Sequence, residues 1–458
     1  MSVLRTFSKE ARGTLFLAVP MMAGQLSQML MGVADSAMVG RVGVVPLAAS
    51  SFANGLLSVP FLFGLGLLQA ISVRASQAHG AGQRRETGEV LRHGLAITGV
   101  AGIGLVALIV IASMLLGDFG QPPEVAAEAR LFFLLCGVSM FPMLLAMSFK
   151  QFSEALDHPW PPMFILLGSV VLNIFLNWVL IYGNLGAPAV GLTGAGIATL
   201  VSRIVALLAI VVYVLRARRF SDALPVAWRR PLEWERVRSL LSIGVPASGQ
   251  LLLEVTAFTV ATIMIGWLGT QPLAAHQIAL TCATTSFMFP LGIAMATSIR
   301  IGQALGANEP GRVRAIGFTS FALSLLIMSA TGLVFAFGNE WLARAFVDDS
   351  SVAALAARLL IIAAFFQLFD GLQVVGAGAL RGLNDATVPM IACLVGYWIV
   401  FIPFAYLAAF RFGFGTVGIW CGLAAALGIV GISLFARFAV KSARLTRKAR
   451  VREAEERW

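Results

Sequence analysis

Residues 19–81 read VPMMAGQLSQMLMGVADSAMVGRVGVVPLAASSFANGLLSVPFLFGLGLLQAISVRASQAHGA. They align without a gap on residues 245–307, at a constant offset of 226, with identity at a third of the positions. The shared residues include Pro46-Leu47-Ala48-Ala49, which falls on Pro272-Leu273-Ala274-Ala275, and Arg74, which falls on Arg300. A hydrophobic chain built from two copies of one unit is typical of transporters, in which two similar bundles enclose a shared cavity. The repeat therefore predicts transport by alternating access.

The composition indicates a membrane protein. Of the 458 residues, 59% are hydrophobic and 12% are charged, and the mean hydropathy is +0.87. A soluble chain of this length cannot bury so much apolar surface. In a soluble protein the net charge of +11 would suggest a nucleic-acid partner. Here a membrane surface accounts for the charge better, so we expect contact with lipid and no binding of nucleic acid.

Hydropathy predicts an all-α polytopic membrane protein with twelve spans, because apolar runs long enough to cross about 30 Å of hydrocarbon recur along the chain. The predicted spans are 13–37, 50–73, 94–117, 130–149, 161–182, 190–215, 240–267, 274–299, 315–338, 353–380, 388–410 and 415–440. We expect a six-helix bundle at 1–215, a basic linker at 216–238, a second bundle at 239–440 and a basic tail at 441–458. With six spans in each, the two bundles would be related by a pseudo-two-fold axis along the membrane normal.

The distribution of Lys and Arg predicts the orientation. If the N-terminus is inside, inner loops and tails, together with Arg437 at the inner end of the last span, hold 27 of the 33 basic residues, among them Arg74, Arg300 and Arg381. Outer loops hold only Arg41, Arg344 and Arg411. Since positive charge accumulates on the cytoplasmic side, both termini are expected in the cytoplasm, with the chain in a bacterial inner membrane.

Three acids fall inside predicted spans: Asp35, Glu254 and Asp370. An ionised residue at a helix centre costs roughly 2.5–3.5 kcal/mol on insertion scales. These acids are therefore either neutral or face a polar interior, and we predict that they couple cation or proton movement to transport. The alternative is that a neutral acid forms a hydrogen bond in helix packing. The acids are not repeat copies, because Asp35 aligns with Ala261 and Glu254 aligns with Gln28.

Other polar and aromatic residues are candidates for lining the same interior. Asn173 and Asn177 lie four residues apart and share one helical face, so Asp35 is their expected partner. Packing between helices is the alternative role for both amides. Further candidates for a substrate or ion cavity are Gln28, Gln250, Phe258, Phe366 and Gln367. Arg203 lies in the sixth predicted span, and either an acid or a polar interior is a possible partner for it.

The chain resembles the multidrug and toxic compound extrusion (MATE) transporters, in particular their NorM-like branch, across about residues 13–440. The matching strings are Gly32-Val33-Ala34-Asp35-Ser36-Ala37-Met38-Val39-Gly40, Asn173-Ile174-Phe175-Leu176-Asn177-Trp178, Leu253-Glu254-Val255-Thr256, Phe369-Asp370-Gly371-Leu372-Gln373-Val374-Val375 and Ala379-Leu380-Arg381-Gly382-Leu383. These motifs are specific when they occur together.

The resemblance implies a twelve-helix antiporter that expels small organic cations, such as drugs and dyes, in exchange for Na⁺ or H⁺. Asp35, Asn173 and Asn177 match the polar site of the family's first half. Glu254 and Asp370 match the second-half acids assigned to cation binding in NorM-like members, which makes them a possible Na⁺ site. Gln367 departs from the family, since an aromatic residue is sometimes found at this position. No resident cofactor is expected, and we expect a monomer.

Three other functions are alternatives to antiport. A flippase for lipid-linked saccharides, from the same wider superfamily, is the nearest alternative, but more cationic residues would be expected in its cavity. A membrane-embedded enzyme would need a nucleophile–base pair or a metal cluster, and no supporting motif is present. A passive channel is disfavoured by two dissimilar halves with separate acids. The sequence leaves the choice between Na⁺ and H⁺ open.

Overall fold

The structure is a computed structural model that describes residues 2–455, with side chains described for 5–451 and 455. In that part of the chain, twelve helices are long and apolar enough to cross a membrane. They are α1 (Ser2–Gly40), α2 (Val44–Gly80), α3 (Arg84–Met114), α4 (Pro123–Ala155), α5 (Trp160–Tyr182), α6 (Gly191–Arg216), α7 (Trp234–Gly266), α8 (Thr270–Gly306), α9 (Pro310–Phe337), α10 (Ser350–Gly382), α11 (Thr387–Arg411) and α12 (Gly415–Glu455). The all-α class and the twelve spans are therefore confirmed.

Most helices run well past the predicted ends of the spans. At 1.5 Å per residue, the 39 residues of α1 extend over about 58 Å, nearly twice the thickness of the hydrocarbon. The placement of Arg74, Arg300 and Arg381 in inner loops was consequently wrong. All three lie in helices, and Arg300 and Arg381 are buried. The predicted tail continues α12 as far as Glu455, and its last residues, 456–458, lie outside the described part of the chain.

Packing divides the chain into two compact units. The C-terminal unit comprises Met1–Met22 and Gly249–Trp458, and the N-terminal unit comprises Ala23–Ser248. Each unit therefore takes the first segment of one helix, α1 or α7, from the other half of the sequence. In these two segments the units differ from the predicted domains.

A repeated glycine explains how α1 and α7 dock in the same manner. In the N-terminal unit, a Cβ at Gly66 of α2 would collide with the backbone of Ser248 in α7. In the C-terminal unit, Gly292 of α8 stands at the repeat position of Gly66, and a Cβ there would collide with Met22 of α1. Close approach of a helix therefore requires glycine in both copies.

The basic segment between the halves is folded onto the N-terminal unit. It forms a short 3₁₀ helix at Arg218–Ala223, from which the buried Phe220 packs edge-on against Tyr213, with ring centroids 5.6 Å apart. The backbone N–H of Glu233 donates to His93 Nε2 at 3.0 Å. These contacts fix both ends of the segment, so it joins the halves as an ordered connection.

Candidate functional site

The polar site of the N-terminal unit joins α1, α5 and α6. Asn177 Nδ2 donates to Asp35 Oδ1 at 2.5 Å and to Asn173 Oδ1 at 3.2 Å. Asn173 Nδ2 in turn donates to Thr199 Oγ1 at 3.4 Å. Both asparagines are fully buried, whereas Asp35 is half-buried. Of the two amides, Asn177 forms the expected hydrogen bond to Asp35, whereas Asn173 is linked to Asp35 through Asn177.

Arg203 of α6 gives this site a positive charge. Its Nη1 donates to Ser139 Oγ at 2.7 Å, and its guanidinium lies close enough to Asp35 to attract it electrostatically. One acid of this site is therefore balanced by one base. The open question about Arg203 is answered: it lies in the polar interior, with a serine as its hydrogen-bond partner.

In the C-terminal unit, Glu254 of α7 and Asp370 of α10 lie close enough for their carboxylates to repel each other. Asp370 is buried and Glu254 is half-buried. Arg381, one further residue of α10, attracts Glu254 and lies 4% exposed. This site holds two acids for one base, and thus carries one negative charge in excess when all three groups are ionised.

Buried amides surround the two acids. Arg381 Nη1 donates to Gln250 Oε1 at 3.1 Å, and Gln250 precedes Glu254 by one helical turn. Tyr397 Oη donates to Gln373 Oε1 at 2.6 Å. Thr331 of α9 donates to Gln367 Oε1 at 3.0 Å. Helices α7, α9, α10 and α11 all contribute polar groups to this interior. Helices that packed together only within lipid would not need these groups.

Three donors in this site make no hydrogen bond to the described residues. They are Gln367 Nε2, Gln373 Nε2 and Arg381 Nε, each in a side chain that is almost fully buried. Buried polar groups in proteins nearly always have a partner, so each of these donors requires an acceptor. The C-terminal site is therefore equipped for polar ligands as well as for charge.

The remaining predicted residues take different positions. Gln28 lies half-buried on α1, seven residues before Asp35 and thus on the same face. Phe258 lies beside Tyr397, with ring centroids 6.4 Å apart. Phe366 is buried against Trp420, with centroids 5.8 Å apart, so it packs within the core of the C-terminal unit.

Sequence reasoning missed Tyr397 and the inward position of Arg381. Tyr397 belongs to Leu394–Phe401, a π-helical stretch of α11, and π-helical turns frequently occur at functional sites. Pro403, which cannot donate a backbone hydrogen bond, lies just beyond that stretch and was the available signal. Among the described residues, no group of three or more His, Cys, Asp or Glu side chains is arranged to hold a metal ion.

The two halves of the chain match one family profile twice. The profile described as MatE matches residues 20–179 and 246–407, two segments whose starts differ by the same 226 positions as the repeat. The chain belongs to the MatE family. The matches together cover more than half of its length, and the resemblance to the NorM-like branch is confirmed by relatives along nearly the whole chain.

Two of those relatives bear the name "Probable multidrug resistance protein NorM". The protein from Bradyrhizobium diazoefficiens is 37% identical over 436 residues, which cover 94% of each chain. The protein from Xylella fastidiosa strain 9a5c is 34% identical over 445 residues, which cover 97% of this chain and 94% of the relative. The chain is accordingly a transporter homologue and not an enzyme, and a multi-pass bacterial membrane protein.

Solved structures show the same fold at lower identity. The eukaryotic MATE transporter AtDTX14 matches with a TM-score of 0.87 at 22% identity, covering 98% of this chain and 99% of that one. The bent form of the Vibrio cholerae MATE transporter VcmN also matches with a TM-score of 0.87, at 21% identity, covering 96% and 99%. At such identities these matches support the fold alone.

Proposed function

We propose that this protein is a secondary active multidrug exporter that expels small organic cations in exchange for Na⁺ or H⁺. The names of the NorM relatives support the export of multiple drugs. The family membership supports a transport function for the whole chain, since the profile matches both halves. The observation that carries the choice of cationic cargo is the excess carboxylate of the C-terminal site.

The excess negative charge of the C-terminal site is energetically unfavourable without a cation. Glu254 and Asp370 repel one another, and Arg381 offsets only one of the two charges. The second carboxylate must therefore be neutralised, either by a proton or by a bound cation. A monovalent cation with an apolar body suits such a site, because its charge completes the balance while its rings contact neighbouring aromatic groups such as Phe258.

Exchange follows from competition for the same charge. A cationic drug and a coupling ion cannot both be held by one excess carboxylate, so binding of the ion favours release of the drug. Inward movement of one positive charge supplies about 2.3 kcal/mol per 100 mV. By the usual relation of about 1.4 kcal/mol per tenfold change, this sustains roughly a fifty-fold gradient of a neutralised cargo. A drug that carries its own charge outward lowers that figure.

The orientation that fits this cycle has both termini in the cytoplasm of a bacterial cell. The Lys and Arg distribution supports it, because the basic linker and the C-terminal extension of α12 then lie inside. Alternating access would expose the polar sites first to the cytoplasm and then to the outside. We propose a monomer as the transporting species, since each chain holds both polar sites.

A lipid-linked saccharide flippase remains the second candidate, and the sign of charge separates the two. A pyrophosphate cargo requires a cationic interior. The two polar sites described here contain three acids, Asp35, Glu254 and Asp370, against two arginines, Arg203 and Arg381. The net negative charge favours cationic cargo.

The experiment is gradient-driven transport of ethidium in proteoliposomes. Wild-type protein is compared with Glu254→Gln and Asp370→Asn under an inward sodium gradient or an inward proton gradient, each imposed alone. Exposed acids outside the spans provide matched controls, namely Glu340→Gln and Asp118→Asn. Equal reconstitution is verified from the amount of protein in the vesicles.

We expect wild-type protein and both controls to extrude ethidium under at least one of the two gradients. The gradient that drives extrusion identifies the coupling ion. Extrusion should fall at least about tenfold in Glu254→Gln and Asp370→Asn, because loss of a buried charge partner costs 2–5 kcal/mol. Undiminished transport in both variants would refute the proposal. Transport of an anionic saccharide lipid, without transport of ethidium, would favour the flippase.

A further inference from the structure

In the C-terminal unit, a buried arginine of α8 is fully occupied by the first turns of α1. Arg300 donates to the side-chain carboxylate of Glu10, to the carbonyl oxygen of Glu10 at 2.5 Å, and to Thr14 Oγ1 at 2.7 Å. Its guanidinium lies across Gly13, where an added Cβ would stand 2.7 Å from Nη2. The position of Arg300 thus depends on three features of one face of α1: an acid, a hydroxyl group, and a glycine that leaves room for the guanidinium.

The N-terminal unit retains this arginine but lacks both of its side-chain partners. Arg74 of α2 occupies the repeat position of Arg300. At the same offset of 226, Glu10, Gly13 and Thr14 are replaced in α7 by Arg236, Ser239 and Leu240. Two acceptors are therefore lost, and the Cβ of Ser239 stands where the guanidinium would lie.

A reversal of charge accounts for this loss. In the C-terminal unit Glu10 also pairs with Arg312 of α9, with Nε and Oε1 3.5 Å apart. In the N-terminal unit the same two positions hold Arg236 and Glu86, which form an ion pair of opposite polarity. Arg236 also pairs with Glu233, at 2.6 Å. The pair that docks the helix is preserved in this way, but it no longer supplies a carboxylate to the neighbouring arginine.

Arg74 is consequently poorly satisfied. Its Nη1 donates to Gln77 Oε1 at 3.3 Å, within its own helix, and its buried Nε makes no hydrogen bond to the described residues. Arginine presents five donors in a planar fork that suits carboxylate and phosphate. In the C-terminal unit a carboxylate of the protein meets that requirement for Arg300, so Arg74 is the one of these two repeat-related arginines that is available to a ligand.

A cavity lies beside Arg74. It has a volume of about 190 Å³ and is lined by Arg74, Glu86, Val90, Glu235, Arg236, Ser239 and Leu240. A water molecule occupies about 30 Å³ in the liquid, so the cavity is too large for a single water. Glu86 is already paired with Arg236, and the carboxylate of Glu235 is exposed to solvent, so Arg74 is the partly buried charge of the lining without an ion pair among the described residues.

The position of the cavity favours an anion as well. It lies at the first turns of α3 and α7, where helix N-termini present unpaired backbone N–H groups. The exposed Arg85 near the start of α3 adds positive charge. On the predicted topology this end of the helices is cytoplasmic, at the level of lipid headgroups, where basic pockets between helices hold phosphates.

We propose that this cavity is a phosphate-binding site in which Arg74 grips the phosphate, as Arg300 grips the carboxylate of Glu10. The phosphate belongs either to the headgroup of an anionic phospholipid or to a free anion. The site is separate from Asp35, Glu254 and Asp370, so it stands independently of the proposed exchange mechanism.

The test measures thermal unfolding of the purified full-length chain in detergent. Sodium phosphate is titrated against sodium chloride at equal ionic strength, since screening alone changes stability. Phosphatidylglycerol and phosphatidylcholine are titrated separately. The variants are Arg74→Gln and, as a control for loss of positive charge outside the cavity, Arg238→Gln.

We expect the melting temperature of the wild type and of Arg238→Gln to rise with phosphatidylglycerol, with inorganic phosphate, or with both. A response to phosphatidylglycerol alone identifies a lipid headgroup, and a response to inorganic phosphate identifies a free anion. The apparent affinity should fall at least about tenfold in Arg74→Gln, because the charged hydrogen bonds are lost. An unchanged response in Arg74→Gln, or no response of the wild type to either probe, overturns the proposal.

A graft keeps the test decisive if Arg74→Gln does not fold. The combination Glu86→Arg, Arg236→Glu, Ser239→Gly and Leu240→Thr transfers to the N-terminal unit the contacts that surround Arg300. The carboxylate introduced at position 236 should then pair with Arg74. The response to phosphate and to phosphatidylglycerol should therefore disappear while the fold is retained. A grafted protein that binds as the wild type does would contradict the assignment.

Discussion

The two units are copies of one repeat, yet they balance their buried charges differently. In the N-terminal unit Asp35 faces one arginine, Arg203, whereas in the C-terminal unit Glu254 and Asp370 share one arginine, Arg381. The apolar framework is preserved between the copies, down to the glycines that let α1 and α7 approach their neighbours. Charge is therefore the property in which the copies have diverged, and the C-terminal unit is the one suited to hold a cation.

The same divergence occurs at the first turns of α1 and α7. Arg300 and the Glu10 that it binds are 8% and 5% exposed at the side chain, whereas Arg236 and Glu86 are 29% and 37% exposed. Removal of one partner from a buried ion pair destabilises a protein much more than the same removal from an exposed pair, because the remaining buried charge cannot be hydrated. The two copies of this docking contact should thus contribute differently to the free energy of unfolding.

The largest expected effect is on stability. Glu10→Gln leaves Arg300 buried without its counter-charge and should lower the free energy of unfolding by about 3–5 kcal/mol. Arg236→Gln, at the repeat position, should cost no more than about 1 kcal/mol, because its pairs are partly solvated. Thermal or denaturant unfolding of both variants measures the difference. Equal losses would show that the two contacts are energetically equivalent.

The next effect is on cation affinity. Arg381→Gln removes the base from the C-terminal site and leaves two uncompensated carboxylates. A unit charge roughly 8 Å away contributes about 2 kcal/mol at an effective dielectric constant of about 20, so ethidium should bind more than tenfold tighter. Arg203→Gln should change the affinity much less, since it lies in the other unit's site. Fluorescence titration of both variants compares them, and weaker binding in Arg381→Gln would count against the charge argument.

The sequence was sufficient to predict the spans, the repeat and the three acids within the spans. Each of these depends on apolar run length or on a charge that stands alone in an apolar segment, and both are local features. The inward position of Arg381 was beyond local reasoning, because an arginine near the end of a span resembles one in a cytoplasmic loop. Tyr397 was missed for a similar reason: its hydrogen bond to Gln373 joins two helices, and only the packing of α10 on α11 brings them together.

A smaller effect is expected from Tyr397→Phe. The change keeps the ring but removes the hydroxyl that donates to Gln373 Oε1. A typical intramolecular hydrogen bond contributes about 0.5–1.5 kcal/mol, so cation affinity should fall by a few-fold as the amide loses its orientation. Tyr182→Phe provides the matched control in the N-terminal unit, where the hydroxyl donates to the carbonyl of Met38. Ethidium titration should leave that control unchanged, and equal changes in both would contradict a special role for Tyr397.

Equilibrium binding of ethidium to the purified wild type, Asp370→Asn and Asp35→Asn tests the central claim most directly. If the excess carboxylate of the C-terminal unit holds the cation, Asp370→Asn should weaken binding by at least about tenfold. Asp35→Asn should change it by less than about threefold, because Asp35 does not belong to the site that is proposed to hold the cation. The opposite order, with binding lost in Asp35→Asn and retained in Asp370→Asn, would contradict the account.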